Sequence, residues 1–219
     1  MTISIDKIID SKIYLGTIKK HSNPKTRKYW LDVKEGIVVL NPEKIAEQLD
    51  YAANKIAEFK KAGKEILILC EKTVYRNELE KLSTTKGIHC MSYKVPGGVL
   101  TNFDTLLSRI QSMNQLKNYI QTDEFARLTK KERLVKERQL SKLEIVYKGV
   151  TGLRKKPDLV IVVDGMHMMK FVKEVEKTKI DSIVLANSNF NKWWDETKLV
   201  MCNTNAYESL DFVLQYILK

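Results

Sequence analysis

The sequence predicts an α/β fold: a doubly wound, mainly parallel sheet flanked by helices, with a protruding antiparallel helical hairpin, or coiled coil, set into it. Three observations carry that prediction. Short apolar runs such as Ile66–Cys70 and Leu159–Val163 alternate with amphipathic stretches, and runs without polar alternation are how strands covered on both faces read. From Val99 to Lys148 the alternation gives way to a basic segment without glycine. Between the two lies Tyr93–Thr105, where Pro96-Gly97-Gly98 can turn sharply and Thr101 or Asn102 can cap a following helix. Residues 1–98 and 150–219 are therefore assigned to the sheet domain and 99–149 to an inserted hairpin.

Composition narrows the function. The 219 residues suffice for one large domain, and a hydrophobic content of 43% can bury a core. A net charge of +11 points to a polyanionic partner, nucleic acid before an anionic membrane surface, although a merely basic soluble protein shares that charge. Cys70, Cys90 and Cys202 are odd in number, far apart and without a CxxC pair. They fit neither a zinc ribbon nor a disulfide framework and indicate a reducing compartment. No apolar stretch reaches the ~18 residues of a membrane-spanning helix. The first residues, Met-Thr-Ile-Ser-Ile-Asp-Lys, lack a signal-peptide core, so the protein is expected to act where it is made or after loss of a presequence.

In chain order, Ile3, Ile5, Ile8 and Ile9 give residues 1–15 a partial apolar stripe, read as a short helix or arm. Thr17–Lys34 is polar and basic, with Lys19, Lys20, His21, Lys25, Arg27, Lys28 and Lys34 interleaved with Tyr29 and Trp30 around an Asn23-Pro24 turn. Cations neutralise phosphates and aromatic rings stack on bases or riboses, so one reading is an RNA contact. The other is a solvated loop with one buried aromatic pair. Gly36–Leu40 reads as a short buried strand. Asn41-Pro42 starts a helix with Ile45, Leu49, Ala52, Ala53, Ile56 and Phe59 on its apolar face. Ile66–Cys70 is a strand, a helix lies near Tyr75–Ser83, and His89–Tyr93 is the next strand.

The hairpin follows. Leu106, Ile110, Met113 and Leu116 continue the capped helix, Gln121–Glu124 can turn, and Arg127–Leu143 is a second helix with Leu134, Leu140 and Leu143 apolar. Arg109–Lys156 holds 13 basic and 5 acidic residues, most of the chain's excess charge. Such a run is either a solvated coiled-coil face or a nucleic-acid contact, and the excess of one sign favours the latter. Gly149 and Gly152 end the hairpin, and Arg154-Lys155-Lys156-Pro157 returns the chain to the core. Leu159–Asp164 is the clearest strand; a helix through Phe171, Val172 and Val175, strands at Ser182–Ala186 and Val200–Cys202, and a helix over Ala206–Leu218 complete an alternation of five or six strands with helices.

Catalytic candidates are few. The Gly97-Gly98 loop can in principle cradle a phosphate at a helix N-terminus, but it is neither GxGxxG nor a Walker sequence. Asp164 ends a strand, where α/β enzymes keep functional carboxylates and where caps and turns also place aspartate. His21, His89 and His167 lack metal-ligand spacing, and Ser188 and Ser209 sit in no nucleophile elbow. No catalytic residue, metal site or cofactor is assigned. The competing reading is a nucleotide- or phosphosugar-binding enzyme using the Gly97-Gly98 loop. A membrane-surface role is disfavoured because the hairpin lacks a bulky aromatic apolar face.

Several stretches together resemble the bacterial-type ribosomal protein S2 family of the small subunit. Lys94–Asn102 resembles its Arg-Trp-x-Gly-Gly-x-Leu-Thr-Asn signature. Leu128-Thr129-Lys130-Lys131-Glu132, Gln139–Glu144, Pro157-Asp158 and Val162-Val163-Asp164 match later blocks in order. Gly16, Asn23-Pro24-Lys25, Asn203 and Ala206 match others, so the likeness covers about residues 12–218. The chain departs from the pattern at Thr17, Ser22, Cys70-Glu71-Lys72, Lys94-Val95, Asn187-Ser188-Asn189, Thr204 and Asn205, read as mostly loop and surface positions.

The resemblance implies a non-enzymatic protein of the small ribosomal subunit that binds ribosomal RNA and neighbouring ribosomal proteins, with no small-molecule substrate and no membrane. The drift, with abundant lysine, asparagine and isoleucine, points to an organellar (mitochondrial) ribosome, with a bacterial cytoplasm as the alternative. Residues assigned to RNA are Lys19, Lys20, His21, Lys25, Arg27, Lys28, Tyr29, Trp30, Lys94, Thr101 and Asn102, with Lys130, Lys131, Arg133, Arg154, Lys155 and Lys156 as a second basic surface.

Overall fold

The computed structural model describes residues 3–191 and 196–219. The chain opens with helix α1 (Ile5–Asp10), which buries Ile8. Three strands then form a small antiparallel sheet: β1 (Leu15–Ile18), β2 (Trp30–Lys34) and β3 (Ile37–Leu40), in the order β1-β3-β2. This corrects two expectations. Thr17–Lys34 is not one long loop, because its ends are the edge strands of this sheet. Gly36–Leu40 contributes the middle strand of the small sheet rather than a strand of the main one. Its Val38 and Leu40 are fully buried, while the flanking strands are at most half-buried. That half-buried pattern is why they read as polar.

Helix α2 (Pro42–Lys61) begins as the sequence indicates: the Asn41 side chain accepts the Glu43 N–H at 2.9 Å, with proline in the first turn. It buries Ile45, Ala46, Leu49, Ala52, Ile56 and Phe59. Next come β4 (Ile66–Leu69), α3 (Arg76–Lys86) and β5 (His89–Met91). The connection from β5 to the following strand carries α4 (Phe103–Tyr119), α5 (Asp123–Ala126) and α6 (Lys130–Tyr147). The remainder is β6 (Leu159–Val163), α7 (Met169–Thr178), β7 (Asp181–Ala186), β8 (Leu199–Met201) and α8 (Tyr207–Ile217).

The main sheet is parallel throughout, in the order β5-β4-β6-β7-β8. The chain moves outward from β4 to β5, then crosses back over β4 to β6, so the order reverses between β4 and β6. Every residue of β6 is fully buried, as expected for a central strand with helices packed around its sheet. One hydrophobic core unites α1, the small sheet, the main sheet and the roots of α4 and α6. At the root of α6, a side chain at Gly149 would place its Cβ 2.2 Å from the Cys90 carbonyl oxygen, so only glycine lets the chain lie against β5.

Helices α4 and α6 touch, and Lys117 and Glu144 pair across them at 3.7 Å. Phe103, Leu106 and Ile110 of α4 belong to the main core. Met113 and Phe125 are buried outside it, with the Phe125 ring edge-on to Tyr119 at 5.9 Å. No residue of α6 is buried: of its expected apolar face, Leu140 and Leu143 are half-buried and Leu134 is 44% exposed.

Candidate nucleic-acid interface

The first basic cluster sits between β1 and β2. After β1 the chain makes a tight turn at Lys19–His21, then a second turn over Pro24–Tyr29 that Asn23 caps by accepting the Lys25 N–H at 2.9 Å. Lys19, Lys20, His21, Lys25, Arg27 and Lys28 all face solvent. Tyr29 and Trp30 do not join them. The Tyr29 ring is 6% exposed and belongs to the core, with the Lys28 ammonium over it at 5.1 Å. Trp30 packs against the core and donates its indole N–H to the Thr26 hydroxyl at 3.0 Å. The pair is the buried aromatic anchor of the lobe, so base stacking by Tyr29 is corrected to a packing role.

What holds this lobe on the main sheet is a set of hydroxyls. Thr17 and Ser188 Oγ atoms lie 2.8 Å apart, Thr17 and Ser22 3.0 Å, and Ser22 and Ser188 3.0 Å. The Thr17 N–H donates to Ser188 Oγ and the Asn23 N–H to the Ser188 carbonyl, both at 2.8 Å. Ser188 follows the carboxyl end of β7 and is fully buried. Thr204, Cys70 and Val95 are buried too, so several departures from the family pattern are core positions rather than surface ones.

The loop from Tyr93 to Asn102 leaves the carboxyl end of β5, on the same edge of the sheet. Three strand spacings, about 14 Å, separate β5 from β7 in the strand order. Gly98 has φ +87°, and the Asn102 N–H closes the turn on the Gly98 carbonyl at 2.7 Å. Two of the amides that could cradle a phosphate are already taken. Gly98 N–H donates to Glu174 Oε1 at 2.7 Å and Leu100 N–H to Glu174 Oε2 at 3.1 Å. Asn102 stands at the N-cap of α4, yet its side chain accepts from the Thr105 hydroxyl at 2.8 Å, so the expected capping bond is not made. Lys94, Thr101 and Asn102 are exposed. Beside them lies a pair that sequence reasoning missed: the Arg76 guanidinium stacks on the exposed Tyr93 ring at 4.3 Å and donates to the Ser92 carbonyl at 3.0 Å. Nothing in the sequence brings residues 76 and 93 together.

The second basic surface divides. Lys130, Lys131 and Arg133 are exposed in the first turn of α6. Their acidic neighbour Glu132 is engaged in a capping box, accepting the Thr129 hydroxyl at 2.7 Å and the Thr129 N–H at 2.9 Å. Those bonds, the hydroxyl's first, hold its carboxyl below the usual glutamate range. Among the described residues no carboxylate pairs with the three cations, and Glu132 is occupied elsewhere. Arg154, Lys155 and Lys156 lie instead just before the amino end of β6. There Lys155 pairs with Asp158 at 3.1 Å, and Asp158 also accepts the Glu65 N–H at 2.9 Å. The 18-residue length of α6, about 27 Å, runs between its first turn and its root.

The enzyme-like positions are committed elsewhere. Asp164, with φ +64°, pairs with Lys72 at 2.5 Å and accepts the His167 N–H at 3.2 Å, while Lys72 also donates to Asn205 at 3.0 Å. Burial pushes the Cys70 thiol up to about 11 and raises Cys90 and Cys202 as well. Among the described residues no three His, Cys, Asp or Glu side chains are placed to share a metal ion. No helix of the described residues is long and apolar enough to cross a membrane.

Residues 8–219 match the family described as ribosomal protein S2. The chain is 28% identical over 187 residues to the small ribosomal subunit protein uS2 of Petrotoga mobilis, covering 85% of this chain and 65% of that protein. It is 24% identical over 217 residues to the protein of the same name from Wigglesworthia glossinidia brevipalpis, covering 99% and 90%. The Roseiflexus counterpart is 27% identical over 211 residues, covering 96% and 80%. A match that spans the whole main sheet and the basic α4–α6 segment has one meaning: the chain belongs to the ribosomal protein S2 family.

Proposed function

We infer that this chain, a structural constituent of the small ribosomal subunit by family, meets ribosomal RNA through two separated basic surfaces, one of them carried by α4–α6 as a projecting arm. The observation that supports this most directly is α6: eighteen residues, none buried, opening on Lys130, Lys131 and Arg133 without carboxylate partners among the described residues. The first turn of such a helix gains little from its own chain, and its cationic face suits phosphates. The other surface is Lys19, Lys20, His21, Lys25, Arg27 and Lys28, rigid because the hydroxyl set and the Tyr29–Trp30 anchor fix their backbone. Lys94, Thr101, Asn102 and the Arg76–Tyr93 stack lie on the same sheet edge and extend it. Phosphate contacts of this kind position the protein and carry no sequence information themselves. Arg154, Lys155 and Lys156, at the opposite edge, form a third, smaller patch that suits RNA or a neighbouring protein.

Charge reversal at Lys130 and Lys131 tests the reading. It is expected to lower retention with the small subunit on a gradient, and to reduce the salt slope of RNA binding by roughly one unit per lysine that meets a phosphate. Unchanged co-sedimentation and slope would refute it. An organellar ribosome is the compartment we favour, on the drift of loop residues and the lysine-rich composition. Gradients from isolated organelles and from cytoplasm assign it directly.

A further inference from the structure

We propose that Glu174 and Glu71 are positioning residues: together their carboxylates fix the direction in which the α4–α6 arm leaves the sheet. The inference rests on the reading of α4–α6 as an RNA-contacting arm and names what aims it. Three backbone N–H groups of the departing loop are held by two carboxylates from two other elements. Glu71, just after β4, accepts the Val95 N–H at 2.9 Å. Glu174, on α7, accepts Gly98 N–H at 2.7 Å with one oxygen and Leu100 N–H at 3.1 Å with the other. Bonds to an ionised acceptor are the strong kind.

The loop cannot set this direction by itself. Gly98, at φ +87°, has no side chain to restrict it, so the backbone there follows whatever its neighbours impose. Val95 and Leu100 are buried, so a lost acceptor there is costly to replace. Glu71 is itself steadied by Lys170 at 3.7 Å and His167 at 3.6 Å, both from the segment that begins α7. The clamp therefore joins the arm to the β4 and β6 ends of the sheet, where the strand order reverses. It also supplies an internal anion at the Gly98 and Leu100 amides, so RNA phosphates are left to exposed side chains such as Lys94 and not to these two N–H groups.

The test uses the full chain with spin labels at Glu58→Cys on α2 and Gln139→Cys on α6; the three native cysteines are buried. The doubly labelled protein is expected to give one narrow distance distribution. Adding Glu174→Gln, which keeps one acceptor for two donors, should broaden or shift it and speed hydrogen exchange at Gly98 and Leu100 by about ten-fold, in line with the loss of one charged hydrogen bond. Where Glu174→Gln unfolds the protein, Glu174→Asp withdraws the carboxylate by one methylene and should give the same broadening. An unchanged distribution in a folded variant would overturn the clamp. Binding to small-subunit ribosomal RNA is measured on the same proteins, alone and with Lys130→Glu and Lys131→Glu. Weaker binding by Glu174→Gln that disappears in the charge-reversed background supports positioning through the arm. A broadened arm with unchanged RNA affinity leaves the clamp standing and removes the RNA role of the arm instead.

Discussion

Strand β6 and helix α6 are opposite extremes of one molecule. All five side chains of β6 are fully buried; none of the eighteen in α6 is. The identity of each β6 residue is accounted for by its neighbours in this chain, since Ile161 lies between Ile68 of β4 and Ile183 of β7 in register. By contrast, Lys130, Lys131 and Arg133 have no carboxylate partner among the described residues. The difference teaches where to look for function in a member of a ribosomal protein family: in elements whose composition the fold does not require.

Substitutions can break or sharpen this contrast. Ile161→Ala should cost about 2–5 kcal/mol, because it opens a cavity in a strand that cannot collapse around it. Chemical denaturation measures the loss, and a cost below 1 kcal/mol would contradict the packing described. Next comes Ser188→Ala, which leaves the Thr17 N–H without its acceptor and should cost about 1–3 kcal/mol, concentrated in the β1–β2 lobe. Exchange rates of the lobe amides should rise while those of β6 stay slow.

A smaller effect belongs to the start of α6. Glu132 titrates below its ordinary range in the folded chain because its ionised form accepts two bonds from Thr129. Its contribution is therefore present above the unfolded-state value and is lost as pH falls through the lower folded one. Amides of the first turn of α6 are expected to lose protection on acidification, and Thr129→Ala, which leaves only the backbone N–H bond to Glu132, should weaken that pH dependence. The smallest effect is Leu134→Ala, expected to change stability by less than about 0.5 kcal/mol because the residue lies on the exposed surface of α6. A large loss there would show that α6 is packed after all.

Much of the sheet was legible. Uninterrupted apolar runs located β4, β6 and β7, and Asn41-Pro42 located the start of α2. The small sheet was not legible, because Thr17, Asp32 and Lys34 lie on strands with at least one face near solvent, where composition resembles a loop. Tyr29 was misassigned for a related reason: alternation with cations says nothing about which way a ring points. Exposure of the lysines is legible from charge alone. The occupation of the Gly97-Gly98 loop by Glu174 is not, since 76 residues separate Gly98 from its acceptor. The Arg76–Tyr93 stack was hidden by chain distance in the same way.

The central pairing of the main sheet joins Ile66 to Leu159, with the Glu65 N–H already bound to Asp158 across 93 residues. Closing so long a loop precedes any gain from the contacts that follow it. Everything from β1 to α6 leaves the translating ribosome before β6, the strand that pairs with both β4 and β7. Pulse-labelled exchange on arrested nascent chains should show α6 protected no earlier than β4, and early protection of β4 in chains ending before residue 159 would exclude this order. While residues 70–158 are being made, β4 thus stands with one edge uncovered, awaiting a neighbour encoded beyond α6.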